Sequence, residues 1–226
     1  AKDMMNQIAY AAWACADPGV QFDTTINDWH TVPNTDRINA SNPCSEYMHL
    51  DDSACNLASI NVMKFVKPDG QFDVNGYRQA IRIFVTAMDI IVDFASYPTE
   101  KIGKNSHDYR PLGLGYANVG TYLMVNGIPY DSEEGRAIVG AFSAILSGYG
   151  YRVSAEIAGQ KAPFNGFSKN RQPMLRVMEK HRDAAYGIHS RFCPEYLLRA
   201  ARQDWDECVA MGEKNGYRNS QISVIA

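Results

Sequence analysis

The chain has 226 residues, of which 46% are hydrophobic and 21% charged, so it can bury a sizeable core in one large domain or two small ones. Its formal net charge of -3 argues against a nucleic-acid partner, because nucleic-acid binders normally carry a basic face. No apolar run approaches the ~20 residues of a membrane span, and no secretory signal opens the chain. We therefore expect a cytoplasmic protein that binds neither nucleic acid nor membrane.

The first half of the chain is predicted to contain two helices separated by a long loop. The first helix covers Lys2 to Cys15 and stops at Asp17-Pro-Gly. A loop-rich stretch runs from Gly19 to about Ser53, and an apolar segment with a β-leaning tail follows from Ala54 to Val66. Asp73 is predicted to cap a long helix that reaches about Phe94 and has apolar residues at helical spacing.

The second half is predicted to alternate short strands with long helices, which indicates an α/β layout. Its elements are a buried strand at Pro111–Gly115, a helix at Asn118–Asn126, a long helix capped by Asp131 and reaching about Gly159, two helices at about Gln172–Tyr186 and Pro194–Asn215, and a strand at Asn219–Ala226. Because the sequence has no internal repeat or flexible linker, residues 1–226 are treated as a single unit.

The two ends of the chain suggest that it is part of something longer. It opens on Ala1 rather than Met and closes inside the last predicted strand, whereas most domains end in a polar, poorly ordered tail. The pattern predicts a piece of a longer polypeptide. A short edge strand at the end of a complete protein stays open as the alternative.

The five cysteines are scattered through the sequence, and no two form a C-x-x-C pair. This arrangement disfavours both a structural zinc site and a disulfide-stapled secreted domain. In a reducing compartment most such cysteines are small buried residues. We interpret Cys15, on the apolar face of the first helix, as a core residue, and Cys193 and Cys208 as packing residues.

The segment Ile38-Asn-Ala-Ser-Asn-Pro-Cys-Ser-Glu46 is the most unusual in the chain, because it places an amide, a thiol and a carboxylate at alternate positions. In an extended or looped backbone, residues two apart point to the same side. Asn42, Cys44 and Glu46 are therefore expected to face one small molecule, and Pro43 disfavours a helix there. A thiol beside a hydrogen-bonding amide and a potential general base is a plausible catalytic set. A polar loop whose cysteine happens to be exposed is the alternative.

Taken with Leu50-Asp-Asp-Ser-Ala-Cys-Asn-Leu-Ala-Ser-Ile-Asn61, the motif Asn42-Pro-Cys-Ser-Glu46 closely resembles the finger-loop region of ribonucleotide reductase large subunits. The spacing of eleven residues from Cys44 to Cys55 is similar to the cobalamin-dependent class and shorter than is usual in the iron-dependent class. The resemblance covers nearly the whole chain and includes Gly19–Asn27 with Trp29-His30, Arg110–Gly115 and Asn219–Ala226.

For the fold, the resemblance implies part of a ten-stranded α/β barrel built from two five-stranded halves, helix-rich, with a central finger loop at about residues 38–55. For the chemistry, it implies that Cys44 carries a thiyl radical that abstracts hydrogen from the ribose 3′ carbon. Glu46 is then the base on the 3′ hydroxyl, Asn42 hydrogen-bonds the sugar hydroxyls, and Cys55 is one of two thiols that supply electrons and become a disulfide.

The resemblance also implies a cofactor and partners. They are adenosylcobalamin, for which no binding residue is identified, a ribonucleoside di- or triphosphate substrate, the remaining segments of the reductase and a thioredoxin-like reductant. The second redox thiol is expected upstream of Ala1 and the phosphate-binding loop after Ala226, so the chain is expected to be inactive alone. An iron-dependent reductase and a non-catalytic scaffold that retains the finger loop stay open as alternatives.

The histidines are interpreted as structural. His49, with Asp51 and Asp52, is predicted to shape the turn after the finger loop rather than to bind a metal. His181 and His189 lie eight positions apart on or near a helix, and surface or helix-end positions are expected for both.

Overall fold

The computed structural model describes residues 1–223. Over that range the chain forms eight α-helices, one 3₁₀ helix and three strands. In chain order they are α1 (Lys2–Cys15), α2 (Asp23–Asp28), β1 (Asn56–Asn61), the 3₁₀ helix η1 (Val62–Phe65), α3 (Val74–Phe94), α4 (Glu100–Tyr109), β2 (Leu112–Ala117), α5 (Val119–Val125), α6 (Glu133–Lys161), α7 (Phe167–Tyr186), α8 (Glu195–Asn215) and β3 (Ile222–Ser223).

The three strands form a parallel sheet in the order β1-β2-β3. Asn56 lies opposite Leu112, which in turn lies opposite Ile222, so the amino ends of all three strands meet at one edge. Parallel neighbours need long crossovers, and the helices between the strands provide them. The predicted α/β layout is confirmed for the described residues. They form a small sheet, and the ten-stranded barrel and finger loop rest on the resemblance alone.

Helix α6 is the centre of the core. It spans 29 residues, and its buried residues lie all around its circumference, as expected for a helix covered on every side. It packs mainly against α8 and α3, and its middle approaches α8 closely. A Cβ at Gly148 would lie 2.9 Å from the Trp205 ring, so glycine is required for this approach.

The helix-capping predictions had mixed outcomes. Asp73 caps α3, because its side chain accepts a hydrogen bond from Gly76 N. The prediction that Asp131 caps α6 was wrong. Ser132 is the N-cap and accepts from Gly135 N at 2.9 Å, since it directly precedes the first helical residue with an extended backbone. Asp131 instead forms an exposed ion pair with Arg136.

Two helices were not predicted, and the predicted start of a third was wrong. α4 was not predicted, because its sequence is mostly polar, and Thr99 rather than an apolar pattern marks its start. α2 lies within the predicted loop between Gly19 and Ser53. α7 begins at Phe167, five residues before the predicted start, and continues through Pro173 despite the missing backbone donor. Of the predicted C-terminal strand, Val224–Ala226 lie outside the described residues.

Helix α1 contradicts the expectation of a buried apolar face. None of its residues is buried, and Cys15 is exposed. Its large apolar side chains are exposed too, with Trp13 at 82% and Tyr10 at 69%. Cys15 is therefore not a core residue within the part of the chain that the structure describes. Cys193 and Cys208 are buried, as predicted.

Candidate functional site

The segment of residues 38–55 lies at the amino edge of the sheet, because its last residue directly precedes β1. It contains neither helix nor strand. Its first residue, Ile38, is held at both backbone groups by the Asn27 side chain, with contacts of 3.0 and 3.1 Å. Asn39 Nδ2 donates to Asp51 Oδ2 at 2.9 Å and joins the two arms of the loop.

The tip of this loop is a tight turn around the candidate thiol. Ser45 N donates to Asn42 O at 3.0 Å, and Pro43 and Cys44 occupy the two central positions. The side chain of Asn42 closes a second ring, since its Oδ1 accepts from Tyr47 N at 3.0 Å. That bond uses the amide oxygen and leaves the two Nδ2 hydrogens as donors for another group.

The thiol and the carboxylate of the turn differ in their surroundings. Cys44 is exposed. Glu46 is partly buried, and its Oε2 is enclosed without a hydrogen-bond partner among the described residues. Glu46 lines a cavity of about 520 Å³ together with Met48, Tyr151 and Gln221. An enclosed carboxylate oxygen without a partner is costly, so this atom is suited to accept a proton, or a hydrogen bond from a hydroxyl group, from a ligand.

Cys55 stands apart from the turn, at the foot of the loop next to the first residue of β1. It is partly buried. The Tyr47 hydroxyl lies 2.7 Å from Ser53 Oγ. Burial raises the pKa of Tyr47, and nearby Cys55 adds to the rise, so the phenol stays protonated at neutral pH. The structure therefore groups Asn42, Cys44 and Glu46 in one turn and puts Cys55 where the same loop joins the sheet.

The segment that leads into β3 contacts the loop just after the turn, at residues 48 and 49. Gln221 Nε2 donates to Met48 O at 2.8 Å, and Ser220 Oγ lies 2.9 Å from His49 Nε2. Thr31 Oγ1 donates to Ser220 O at 2.7 Å. His49 is thus a buried residue of the loop itself, and it does more than shape a turn. Local sequence carried no signal for these pairs, because the two residues of each pair are 171 to 189 positions apart.

A buried charge cluster anchors the same segment from behind. Arg110 Nε donates to Asp89 Oδ1 at 2.7 Å, and Asn219 Nδ2 donates to the same oxygen at 2.9 Å. Asn219 Nδ2 also contacts Arg110 O. The hydrogen bond from Arg110 lowers the pKa of nearby Asp93 despite its partial burial. The cluster fixes the start of β3 relative to α3, and sequence reasoning missed it.

His181 was expected at the surface or at a helix end, and in the structure it is half-buried within α7. Its ring is stacked on Trp205 with centroids 5.2 Å apart and contacts Trp29 at 4.9 Å. Burial lowers its pKa to about 4, so the ring is neutral at physiological pH. His181 forms part of the wall of the cavity that Glu46 lines. His189 is exposed, as expected.

Within residues 1–223, no group of three or more histidine, cysteine, aspartate or glutamate side chains is arranged to hold a metal ion. In the same range, every helix is too short or too polar to span a lipid bilayer.

Comparison with known proteins identifies the class to which this loop and sheet belong. The sequence profile of the ribonucleotide reductase barrel domain matches residues 1–226, the whole chain. The chain therefore belongs to the ribonucleotide reductase family.

Three relatives that the chain matches are all named vitamin B12-dependent reductases. The chain is 55% identical over 226 residues to a vitamin B12-dependent ribonucleotide reductase of Rhodopirellula baltica, and 50% identical over 231 residues to one of Streptomyces coelicolor. Both comparisons cover 100% of this chain but only 22% and 24% of the relatives. A vitamin B12-dependent ribonucleoside-diphosphate reductase of Mycobacterium tuberculosis is 32% identical over 171 residues, 76% of this chain and 25% of that protein. The chain thus spans about a quarter or less of the length of these relatives.

Proposed function

We propose that the polypeptide containing this chain reduces ribonucleotides to deoxyribonucleotides by thiyl-radical chemistry with adenosylcobalamin. The observation that carries the proposal is the turn at residues 42–46. It presents an exposed thiol on Cys44 beside Glu46, whose enclosed Oε2 has no hydrogen-bond partner among the described residues. The vitamin B12-dependent names of the relatives favour the cobalamin class over the iron-dependent class.

Three residues of the turn have different roles in the proposed reaction. Cys44, as a sulfur radical, takes the hydrogen atom from the ribose 3′ carbon. Glu46 accepts the proton of the 3′ hydroxyl, and the 2′ hydroxyl takes a proton from one of the two reducing thiols and leaves as water. Cys44 returns the hydrogen atom to the 3′ carbon at the end of the reaction. Asn42 donates from Nδ2 to a sugar hydroxyl, since its Oδ1 is already bound by Tyr47 N. Holding the ribose in one pose is how this contact contributes to rate.

Cys55 has a different part in the proposal. It supplies one of the two electrons that the reduction consumes and ends in a disulfide with a second thiol. It lies at the foot of the loop, next to β1, eleven residues after Cys44 and outside the turn that holds that thiol. A thioredoxin-like protein is the proposed reductant of the disulfide.

The fit of the cofactor rests on the exposure of Cys44. Because this thiol lies at the tip of a turn and is open to solvent, a large radical-generating group can approach it from outside the described residues. When bound, adenosylcobalamin supplies the radical that removes the hydrogen atom from the Cys44 thiol. We assign no residue of this chain to hold the corrin ring.

The proposal extends to the setting of the reaction. The substrate is a ribonucleoside di- or triphosphate, the other segments of the reductase complete the site, and the enzyme works in the cytoplasm. This chain alone is expected to be inactive, and residues 1–226 to act as a single unit of the barrel domain. A scaffold that retains the loop without chemistry is the competing function.

The test is nucleotide reduction by the full-length protein with and without adenosylcobalamin. We expect cofactor-dependent turnover that disappears in Cys44→Ser, because an alcohol cannot replace the thiol as hydrogen-atom carrier. Glu46→Gln should lower kcat by roughly 10²- to 10⁴-fold, the usual contribution of a general base.

The matched control is Cys15→Ser, which alters another exposed cysteine outside the loop. It should retain wild-type turnover. Full activity in Cys44→Ser, or no turnover by the well-folded wild-type protein with cofactor and dithiol, contradicts the proposal and favours the scaffold.

A further inference from the structure

His49 is the buried side chain that connects the candidate loop to a distant part of the fold. It lies three positions after Glu46 and is 2% exposed. Its Nε2 lies 2.9 Å from Oγ of Ser220, which is fully buried. The hydroxyl of this serine therefore has the imidazole as its partner in place of water.

The histidine ring is enclosed on several sides. Its centroid is 5.8 Å from Tyr47, 6.1 Å from His30 and 6.3 Å from Tyr109. These contacts come from the loop itself, from the segment after α2 and from α4. These three rings restrict the orientation of the imidazole, so its bond to Ser220 holds residue 49 in place.

Ser220 is itself fixed by the backbone around it. Its N–H donates to Tyr109 O at 2.9 Å, and its carbonyl accepts from Thr31 Oγ1 at 2.7 Å. The next residue, Gln221, donates to Met48 O at 2.8 Å. Residues 48 and 49 are therefore bound to residues 220 and 221 through one backbone carbonyl and one side chain.

The short connection from His49 to the turn makes this attachment relevant to chemistry. Tyr47, two residues before His49, donates its backbone N–H to Asn42 Oδ1 and closes the turn that holds Cys44. Glu46 lines the same cavity as Met48 and Gln221. A shift of residues 48–49 away from residues 220–221 would move the carboxylate and the turn with it.

We propose that His49 is a positioning residue, which through its contact with Ser220 holds the Asn42–Glu46 turn at the amino edge of the sheet. The inference rests on the proposed function for its effect on turnover. Its structural part stands independently, because it concerns where the loop is held.

The experiment compares three variants of the full-length protein. His49→Phe keeps a ring and removes the hydrogen bond, Ser220→Ala removes the partner, and His49→Gln retains a polar end that can reach Ser220. Tyr196→Phe is the matched control, because its hydroxyl accepts from Phe72 N near the opposite end of the sheet. Hydrogen exchange of amides 45–50 and the separate values of kcat and KM are measured for each protein.

We expect amides 45–50 to exchange at least ~10-fold faster in His49→Phe and Ser220→Ala, with helices α6 and α8 unchanged. kcat should fall by ~10-fold or more while KM changes by less than about threefold, because a small displacement of the reacting groups greatly lowers the rate of the chemical step. A double variant that combines His49→Phe with Ser220→Ala should be no worse than the more impaired of the two single variants, since the two groups act as one unit. His49→Gln should restore most of both properties, and Tyr196→Phe should alter neither.

Two results would overturn the proposal. One is wild-type exchange of amides 45–50 in both His49→Phe and Ser220→Ala. The other is equal loss of kcat in these variants and in Tyr196→Phe, which would indicate general destabilisation. If the wild-type protein reduces no nucleotide, the proposed function fails, and the exchange measurement still decides whether His49 positions the loop.

Discussion

Arg110 Nε donates to Asp89 Oδ1 at 2.7 Å, and the two residues are only 3% and 7% exposed. The pair joins the residue that follows α4 to the inner face of α3. Arg110 also donates from Nη2 to Asp89 O, so the guanidinium holds both the side chain and the backbone of its partner. Since Asn219 contacts the same carboxylate, the pair fixes the backbone that supports the candidate loop.

Asp89→Asn is expected to destabilise the protein, because it leaves the buried Arg110 guanidinium with the half-exposed Asp93 as its remaining countercharge. Breaking one partner of a buried pair costs about 3 kcal/mol or more. The melting temperature of the transition that includes this domain should fall by roughly 6 °C or more, measured by scanning calorimetry of the full-length protein. Asp131→Asn, at an aspartate whose side chain is 96% exposed, is the control and should shift it by less than about 1 °C.

Asn42→Asp separates the structural and chemical parts of the Asn42 side chain. Aspartate retains an oxygen that can accept from Tyr47 N, so exchange of that amide should stay close to wild type. It lacks the Nδ2 donors, and kcat/KM for nucleotide reduction should fall by ~10-fold or more, the cost of a lost hydrogen bond to substrate. Fast exchange of the Tyr47 amide together with unchanged kcat/KM would contradict this division.

Ser132→Ala tests the corrected start of α6. Removing the side chain that accepts a hydrogen bond from Gly135 N should lower the free energy of unfolding by about 1 kcal/mol. Asp131→Ala should cost less than about 0.5 kcal/mol, since it removes only an exposed ion pair with Arg136. Calorimetry of the two full-length variants decides the matter. A larger loss of unfolding free energy in Asp131→Ala than in Ser132→Ala would support the sequence prediction that Asp131 caps α6.

The buried His49 and the half-buried His181 make the stability of the fold depend on pH in a definite direction. Burial lowers the pKa of His181 to about 4 and that of His49 to about 3, from 6.5. The folded state therefore binds fewer protons than the unfolded state in this range. Stability is complete above about pH 6.5 and is lost as pH falls towards 4, by up to about 1.4 kcal/mol per pH unit for each histidine.

His181→Phe should flatten this dependence. A phenyl ring preserves the stacking on Trp205 and cannot be protonated, so the drop in melting temperature between pH 7 and pH 5 should be smaller than in the wild type. His189→Phe is the control, because His189 is exposed. An identical pH profile for His181→Phe and wild type would show that His181 is not held neutral by burial.

Much of the helical structure was determined by sequence alone. Apolar residues at helical spacing located α3, and Asp73 at its start is the observed cap. α5 and α8 lie close to their predicted limits. The candidate residues Asn42, Cys44 and Glu46 were also identified from sequence, because their spacing within five positions is a local property. Helix periodicity, caps and short motifs depend on neighbouring residues, so sequence reports them directly.

The surroundings of those residues were decided only by the tertiary structure. The contact of His49 with Ser220 spans 171 positions, and that of Asp89 with Asn219 spans 130. The absence of a hydrogen-bond partner for Glu46 Oε2 within residues 1–223 likewise depends on which distant side chains enclose it. The His49–Ser220 pair forms because parallel strands bring the segments before them to one edge of a sheet, and no local period records that arrangement. Sequence thus determined which groups the loop offers, and packing at the amino edge of the sheet decided how they are held.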